Sequence, residues 1–109
     1  MTPGYVIIVF MIELEKIKSI YFIGIGGSGM SSIANMMITK GKNVFGSDKE
    51  STLTTQELEK KGSQIFYKQI SENIPSNIDL VIYTVAIPEN NPELQKARQL
   101  GIPLLSYPQ

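Results

Sequence analysis

The chain has 109 residues, in which 10 Lys plus Arg are balanced by 10 Asp plus Glu. This length predicts one domain that removes roughly 65% of its unfolded surface from water, and the balanced charge gives no reason to expect nucleic acid or an anionic membrane as partner. The absence of cysteine and histidine excludes a thiol nucleophile, a histidine base, a Ser-His-Asp triad and an ordinary zinc site. We therefore expect a domain that binds a ligand, with no catalytic residue and no metal of its own.

The N-terminal segment, residues 1–12, contains an apolar run over residues 5–12. Eight residues are too few to cross a membrane, which needs about 20 helical residues, and no Lys or Arg precedes them as in a signal peptide. We interpret the segment as an extension of unknown role, either an extra or edge strand or a tail that packs on a neighbouring molecule. One explanation for such an extension is a natural translation start at Met11, which would leave residues 1–10 outside the natural chain. The domain itself is expected over residues 13–109.

The first strand is predicted at about residues 17–24, with residues 20–23 buried, and it leads directly into a glycine-rich turn. Gly24, Gly26 and Gly29 fit the spacing G-x-G-x-x-G, and a helix follows. In this motif one glycine makes the turn, one lets a ligand approach the backbone, and one packs helix against strand. Because free N–H groups and partial positive charge gather at a helix N-terminus, the turn predicts a site for a diphosphate.

The first helix is predicted from residue 28 or 29 to residue 40, and Gly41 supplies its stop. Its apolar residues recur at helical spacing, so one face should be buried. Met36 and Met37 are interpreted as core residues, whereas Met30, beside the turn, is also a candidate for ligand contact.

A second strand is predicted over residues 42–47, and it ends at Asp48. Asp48 lies 19 residues beyond Gly29. At a distance of about 20 residues an acidic side chain commonly reaches a ribose hydroxyl, so we predict that Asp48 contacts the ligand.

The remaining elements follow from caps, glycines and apolar runs. Thr54 and Glu57 have the form of a capping box, which predicts a second helix that starts at Thr54 and ends at Gly62. A short strand over residues 64–67, a polar link through Pro75 and a central strand within residues 78–87 come next.

The last helix is predicted from its cap. Asn91 is a good N-cap and Pro92 a good first-turn residue for a helix that carries apolar residues at three-residue spacing and stops at Gly101. Those residues are Leu94, Ala97 and Leu100. A final strand is expected over residues 103–106.

The order of elements predicts an α/β fold. It is a Rossmann-like five-stranded parallel sheet with helices on both faces and strand order 3-2-1-4-5. Ligands in such sheets bind beyond the carboxyl ends of the strands, where the order reverses. The glycine turn, Ser47-Asp48 and Thr84-Val85-Ala86 should meet there. A nicotinamide or flavin dinucleotide and a UDP-sugar both suit this geometry, and spacing does not separate them.

Several motifs taken together resemble the N-terminal domain of the Mur ligases, over about residues 17–107. They are residues 21–31 (Tyr-Phe-Ile-Gly-Ile-Gly-Gly-Ser-Gly-Met-Ser), Gly46-Ser47-Asp48, Ala86-Ile87-Pro88 with Asn91-Pro92-Glu93, and Gly101-Ile102-Pro103. Within the family, the resemblance is to the ligases that add L-alanine to UDP-N-acetylmuramate. The ligases that recycle the tripeptide are the alternative within the family, but their glycine turn generally differs from Gly-Ile-Gly-Gly-Ser-Gly.

The resemblance implies that the domain binds UDP-N-acetylmuramate. The backbone of residues 26–30 would hold the diphosphate, Asp48 would recognise the uridine portion, and residues 84–86 would border the sugar-phosphate. The substrate-binding residues expected on this basis are Gly24, Gly26, Gly27, Ser28, Gly29, Met30, Ser47, Asp48, Thr84, Val85 and Ala86. Lys68-Gln69 stands where the family commonly has a glycine-histidine pair, so no contact is carried over to that loop.

The resemblance also implies what lies outside this chain. In such ligases a central domain binds ATP and magnesium and activates the substrate carboxylate as an acyl phosphate, which alanine attacks, and a C-terminal domain helps to close the site. The setting would be peptidoglycan synthesis in the bacterial cytoplasm. No Gly-Lys-Thr phosphate loop occurs before Gln109, so we expect this fragment to bind substrate without turning it over. The alternatives are the NAD(P)-binding domain of a dehydrogenase or redox-sensing regulator, and a nucleotide-free scaffold.

Overall fold

A computed structural model describes residues 14–107 of the chain. Five parallel strands form one sheet with the order β3-β2-β1-β4-β5, as predicted. The strands are β1 (Ser19–Ile23), β2 (Asn43–Ser47), β3 (Gln64–Phe66), β4 (Leu80–Thr84) and β5 (Leu104–Tyr107). The helices are α1 (Ser28–Thr39), α2 (Leu53–Lys60) and α3 (Pro92–Gln99), and a short 3₁₀ helix covers Ser71–Asn73.

Helices cover both faces of the sheet, and the alternating side chains of β1 divide the core between them. Ile20 and Phe22 pack with buried residues of α1 and α2 on one face. Tyr21 and Ile23 pack with buried residues of α3 on the other. Since both sets are fully buried, β1 is the central strand of a sheet covered on both sides.

The strand register brings the carboxyl ends of the inner strands to one edge of the sheet. Ile23 at the end of β1 pairs with Ser47 at the end of β2, and Tyr83 of β4 pairs with Ile23 from the other side. The loops that follow these strands therefore emerge together, where the predicted site lies.

The predicted cap of the last helix is confirmed. The Asn91 side chain accepts hydrogen bonds from the N–H groups of Glu93, at 2.9 Å, and Leu94, at 3.2 Å, and Pro92 occupies the first turn. Leu100, however, is 43% exposed, because the helix ends at Gln99 and Leu100 is its cap. Of the three apolar residues at three-residue spacing, Leu94 and Ala97 are therefore the buried ones.

The predicted start of the second helix is also wrong. The helix begins at Leu53, and its capping box joins Thr52 and Thr55 rather than Thr54 and Glu57. The Thr52 hydroxyl accepts from Thr55 N–H at 3.2 Å, and the Thr55 hydroxyl accepts from Thr52 N–H at 2.8 Å. Threonine replaces the usual Glu or Gln at the third position of this box, so the standard pattern selects the wrong threonine.

The interpretation of Met36 as a core residue is corrected as well. Met36 is 46% exposed, whereas Met30 and Met37 are buried. Met36 lies six residues after Met30, which places it well off the stripe that residues three, four and seven apart share. The predicted extension, residues 1–12, lies outside the described residues. Within residues 14–107, no helix combines the length and the apolar character needed to span a membrane.

Candidate functional site

A cleft of about 410 Å³ opens at the carboxyl edge of the sheet, beside the glycine turn (residues 24–29). The loops after β1, β2 and β4 supply its walls, as expected for ligand sites in sheets of this topology. The residues that line it are Gly24, Gly26, Gly27, Asp48, Lys49, Glu50, Thr52, Thr84 and Ala86.

The glycine turn is tied to the end of β2. The backbone N–H groups of Gly24 and Ile25 both donate to the carbonyl oxygen of Ser47, each at 2.9 Å, and Gly27 N–H donates to the Gly24 carbonyl at 3.2 Å. Gly24 has φ +87°, a left-handed conformation that favours glycine. The turn therefore takes its shape from the Ser47 carbonyl and from the first glycine of the motif.

Asp48 also fixes the turn. One carboxylate oxygen, Oδ2, accepts from Gly26 N–H at 2.8 Å, and the other, Oδ1, accepts from Lys49 N–H at 2.7 Å. A Cβ atom at position 26 would lie 2.7 Å from Asp48 Oδ2 and 3.1 Å from Thr55 Cγ2. The second glycine of the motif thus allows close approach of the Asp48 carboxylate.

The N-terminus of α1 has no side-chain cap. Ser31 N–H donates to the Gly27 carbonyl at 2.7 Å and is the first N–H of the helical ladder, so the amides of Ser28, Gly29 and Met30 have no acceptor one turn earlier in the helix. The cap residue, Gly27, offers no side-chain acceptor, and the first turn contains no acidic residue. These amides lie at the positive end of the helix dipole, and of the three residues Ser28 is exposed, Gly29 is half-buried and Met30 is fully buried.

The third glycine of the motif packs against the end of β5. A Cβ atom at Gly29 would lie 2.4 Å from Tyr107 Cε1 and 2.6 Å from the Tyr107 hydroxyl oxygen. The half-buried Tyr107 ring therefore rests directly on the first turn of α1. Only a residue without a side chain fits beneath the ring in this position.

The charge lining the cleft does not by itself favour an anion. Lys49 is the one cation among the described lining residues, and Asp48 and Glu50 are two carboxylates. Anion binding would thus depend on backbone amides and the helix dipole. The described residues hold no cluster of three side chains suited to a metal ion.

The structure brings six of the predicted site residues to the cleft wall: Gly24, Gly26, Gly27, Asp48, Thr84 and Ala86. Ser28 and Gly29 lie at the helix start beside it. Met30 and Ser47 are fully buried residues that do not line the cleft, and Val85 is 61% exposed outside the lining. A role in substrate binding stays a prediction for all of them.

Three lining residues were missed: Lys49, Glu50 and Thr52. All three lie in the loop between β2 and α2. The signal that could have found them is their position directly after Asp48, because the loop that carries a predicted ligand contact also walls the same crevice.

Sequence and structure comparisons identify similar proteins. The family described as "Mur ligase family, catalytic domain" matches residues 19–109. A UDP-N-acetylmuramate–L-alanine ligase of Clostridium kluyveri is 52% identical over 93 residues, which cover 85% of this chain and 20% of that protein. The chain thus spans about a fifth of the length of the curated relatives that it matches.

Solved structures also share the fold, among them those of two ligases. The crystal structure of UDP-N-acetylmuramate-alanine ligase from Thermotoga maritima matches with a TM-score of 0.77 and 40% identity, covering 83% of this chain and 20% of that one. A ligase from Neisseria meningitidis that acts on UDP-N-acetylmuramate and L-alanyl-gamma-D-glutamyl-meso-diaminopimelate matches with a TM-score of 0.74 and 23% identity, over 83% of this chain and 28% of that one. Since the family match runs from the first strand to the last residue, the chain belongs to the Mur ligase family.

Proposed function

We propose that this chain is the UDP-N-acetylmuramate-binding domain of an ATP-dependent ligase that joins L-alanine to that nucleotide sugar in peptidoglycan synthesis. The observation that carries the proposal is the uncapped start of α1 at the rim of the cleft, in a chain that is 52% identical to a ligase named for this substrate. An uncapped helix start at a glycine turn suits the diphosphate of a nucleotide sugar.

The diphosphate is expected to lie on the amides of Ser28 and Gly29, which have no acceptor within the helix and belong to residues that solvent reaches, whereas Met30 is fully buried. Gly26 N–H already donates to Asp48 and is therefore less available. With one lysine and two carboxylates on the cleft wall, these amides supply most of the attraction for the phosphate groups.

The uridine portion is expected at Asp48. Each carboxylate oxygen carries two lone pairs, and the contacts with Gly26 and Lys49 use one on each. Asp48 can therefore hold the turn and still accept a hydrogen bond from a ribose hydroxyl or a uracil N–H. Thr84 and Ala86, on the opposite wall, would border the sugar-phosphate.

ATP, magnesium and L-alanine are expected to bind to the parts of the ligase that this chain does not contain. In the full-length enzyme the carboxylate of the bound sugar would be activated by ATP, and alanine would attack it. The fragment alone should bind the nucleotide sugar without turnover, and the proposal places it in the bacterial cytoplasm.

A nicotinamide dinucleotide would use the same turn, and the geometry of the cleft does not separate the two ligands. The sequence favours the nucleotide sugar. A relative named for UDP-N-acetylmuramate is 52% identical in sequence, and a ligase of known structure named for the same substrate is 40% identical in sequence. A tripeptide-recycling ligase is less favoured, since solved examples share only 23% and 24% sequence identity with this chain.

A titration followed by ¹⁵N–¹H NMR tests the proposal. UDP-N-acetylmuramate should shift the amide resonances of residues 24–30 saturably and should raise the unfolding free energy by about 2.7 kcal/mol at 100 times its dissociation constant. NADH at the same concentration serves as the matched diphosphate control and should shift none of them. Saturable shifts with NADH alone would favour the dinucleotide, and no response to either ligand would favour a nucleotide-free scaffold.

A further inference from the structure

A buried carboxylate lies behind the cleft. Glu93, in the first turn of α3, is fully buried. Its Oε2 accepts hydrogen bonds from the Tyr21 hydroxyl at 2.5 Å and from Asn73 Nδ2 at 2.7 Å, and its Oε1 accepts one from the Ser47 hydroxyl. One side chain thus joins α3 to β1, β2 and the 3₁₀ helix.

No cation balances this charge among the described residues, in which the ion pairs are Lys60–Glu57 and Arg98–Glu89. The charge is met by three neutral donors and by the positive N-terminus of α3. Burial raises the pKa of the Glu93 carboxyl, and the hydrogen bonds from Ser47, Tyr21 and Asn73 oppose that shift. A buried charge is costly, and an apolar side chain of similar size is often at least as stabilising. Its presence therefore calls for a role besides packing.

Ser47 connects this carboxylate to the glycine turn. Its hydroxyl donates to Glu93, while its backbone carbonyl accepts the N–H groups of Gly24 and Ile25. The next residue is Asp48, which holds Gly26. Ser47 thus contacts Glu93 through its side chain and shapes the glycine turn through its backbone carbonyl.

Gln69 forms a second polar link between Ser47 and the start of α3. Its Nε2 lies 3.4 Å from the Ser47 hydroxyl oxygen, and its Oε1 accepts from Asn91 Nδ2 at 3.1 Å. Asn91 is the cap of the helix that carries Glu93. The rotamer of Ser47 is therefore held between two polar side chains, both anchored at the start of α3.

We propose that Glu93 is a positioning residue of the cleft, which acts through Ser47 to hold the glycine turn in its ligand-binding shape. The effect of Glu93 on the shape of the turn can be measured in the ligand-free protein. Only its effect on affinity rests on the proposed function. The polar network extends from α3 through Ser47 to the N–H groups of Gly24 and Ile25 in the glycine turn, so α3 contributes to the site without lining it.

Amide hydrogen exchange in the ligand-free protein tests this inference in Glu93→Gln and Ser47→Ala. Loss of the connection should speed exchange at Gly24 and Ile25 about tenfold more than at Phe22, which lies within β1. A role limited to stability would instead speed exchange at all three amides equally. Glu89→Gln is the matched control, because it removes the same charge from an exposed side chain that pairs with Arg98.

The same variants should bind UDP-N-acetylmuramate about tenfold more weakly than the parent and Glu89→Gln do. Unchanged exchange at Gly24 and Ile25 in the folded variants would overturn the inference. Should Glu93→Gln fail to fold, Ser47→Ala decides, since it deletes one hydroxyl and keeps the backbone. If the parent does not bind the nucleotide sugar, the proposed function fails, while the exchange data still decide the role of Glu93.

Discussion

The carboxylate of Asp48 accepts a hydrogen bond from Gly26 N–H at 2.8 Å, so the side chain expected to meet the ligand also fixes the turn that would hold the phosphates. Its second oxygen accepts from Lys49 N–H at 2.7 Å, which orients the carboxylate from the other side. The two halves of the proposed site, uridine and diphosphate, are therefore linked through one side chain. A change in Asp48 should affect both.

Asp48→Ala should weaken binding of UDP-N-acetylmuramate by roughly 1 to 3 kcal/mol, the range for loss of a charge-assisted hydrogen bond. Titration calorimetry measures the affinity. Glu50→Gln is the matched control, because Glu50 lines the same cleft and its loss removes the same charge. If general repulsion of the phosphates governed the cleft, both variants would bind more tightly, and that result would contradict a direct role for Asp48.

Gly26→Val should abolish binding and leave the fold largely intact. The added Cβ would lie 2.7 Å from Asp48 Oδ2 and 3.1 Å from Thr55 Cγ2, so the carboxylate must move away from the turn. Overpacking of this kind costs roughly 1 to 3 kcal/mol of unfolding free energy, which denaturant titration measures. Ser28→Ala, an exposed neighbour that keeps its backbone N–H, should bind like the parent. Equal affinity of Gly26→Val and Ser28→Ala would place the ligand elsewhere.

Gly29→Ala should destabilise the protein by roughly 1 to 3 kcal/mol through contact with the Tyr107 ring. In a Tyr107→Ala background the same change should be neutral or stabilising, because the clash is gone and alanine favours a helix over glycine by about 1 kcal/mol. Denaturant unfolding of the four proteins in this double-mutant cycle measures the coupling. Additive effects would mean that the ring does not rest on Gly29.

The sheet, its strand order and the three helices follow from local signals in the sequence. Buried runs, glycine stops and the Asn91-Pro92 cap each indicate an element by themselves, and the chirality of crossovers then restricts the topology. The position of Asp48 after the second strand also follows from the topology of the sheet. The cap at Thr52 was missed because Thr55 takes the place of the usual acidic partner.

The contacts that shape the site could not be predicted from local patterns. Tyr21 and Glu93 are 72 residues apart in the chain, and nothing in either segment indicates that they share a hydrogen bond. In the glycine motif, the position of Gly26 usually allows a ligand to approach the backbone. Here the Asp48 carboxylate occupies the space that a side chain at Gly26 would take. Long-range polar contacts of this kind depend on the assembled fold.

Tyr21 should resist ionisation in the folded protein. Burial, together with the neighbouring Glu93 carboxylate, raises the pKa of the Tyr21 phenol well above its ordinary value of 10.0. Between the two pKa values the folded state binds more protons than the unfolded state, so this contribution to stability is present below about pH 10 and is lost as the pH rises above it. Tyr21→Phe should remove that part of the alkaline loss of stability.

Absorbance at 295 nm during an alkaline titration checks the same point. The chain contains 5 tyrosines, and the parent and Tyr21→Phe share all of them except Tyr21. Because Tyr21 should not ionise in the folded protein, both proteins should show the same increase in absorbance for as long as they are folded. An additional phenol that ionises in the folded parent alone would contradict burial of Tyr21 against Glu93.

Asp79 should protect the protein against moderate acid. Its Oδ2 accepts from Lys18 N–H at 2.9 Å and from Ser19 N–H at 3.0 Å, and these backbone hydrogen bonds lower the pKa of the Asp79 carboxyl below its ordinary value of 3.8. Because the folded-state pKa is depressed, the unfolded state binds more protons in this range. The contribution is therefore present above about pH 3.8 and is lost as the pH falls through the lower, folded-state value.

Asp79→Asn keeps the shape of the side chain but loses the charge, and it should lower the unfolding free energy at neutral pH by about 1 kcal/mol, the size of an ordinary hydrogen bond at an exposed position. Urea unfolding at a series of pH values measures the difference from the parent, which should shrink as the pH falls below 3.8. Glu50→Gln controls for the loss of one exposed negative charge and should show no such convergence. A difference that stays constant from neutral to acid pH would mean that the backbone contacts at the start of β1 do not depend on the ionised carboxylate.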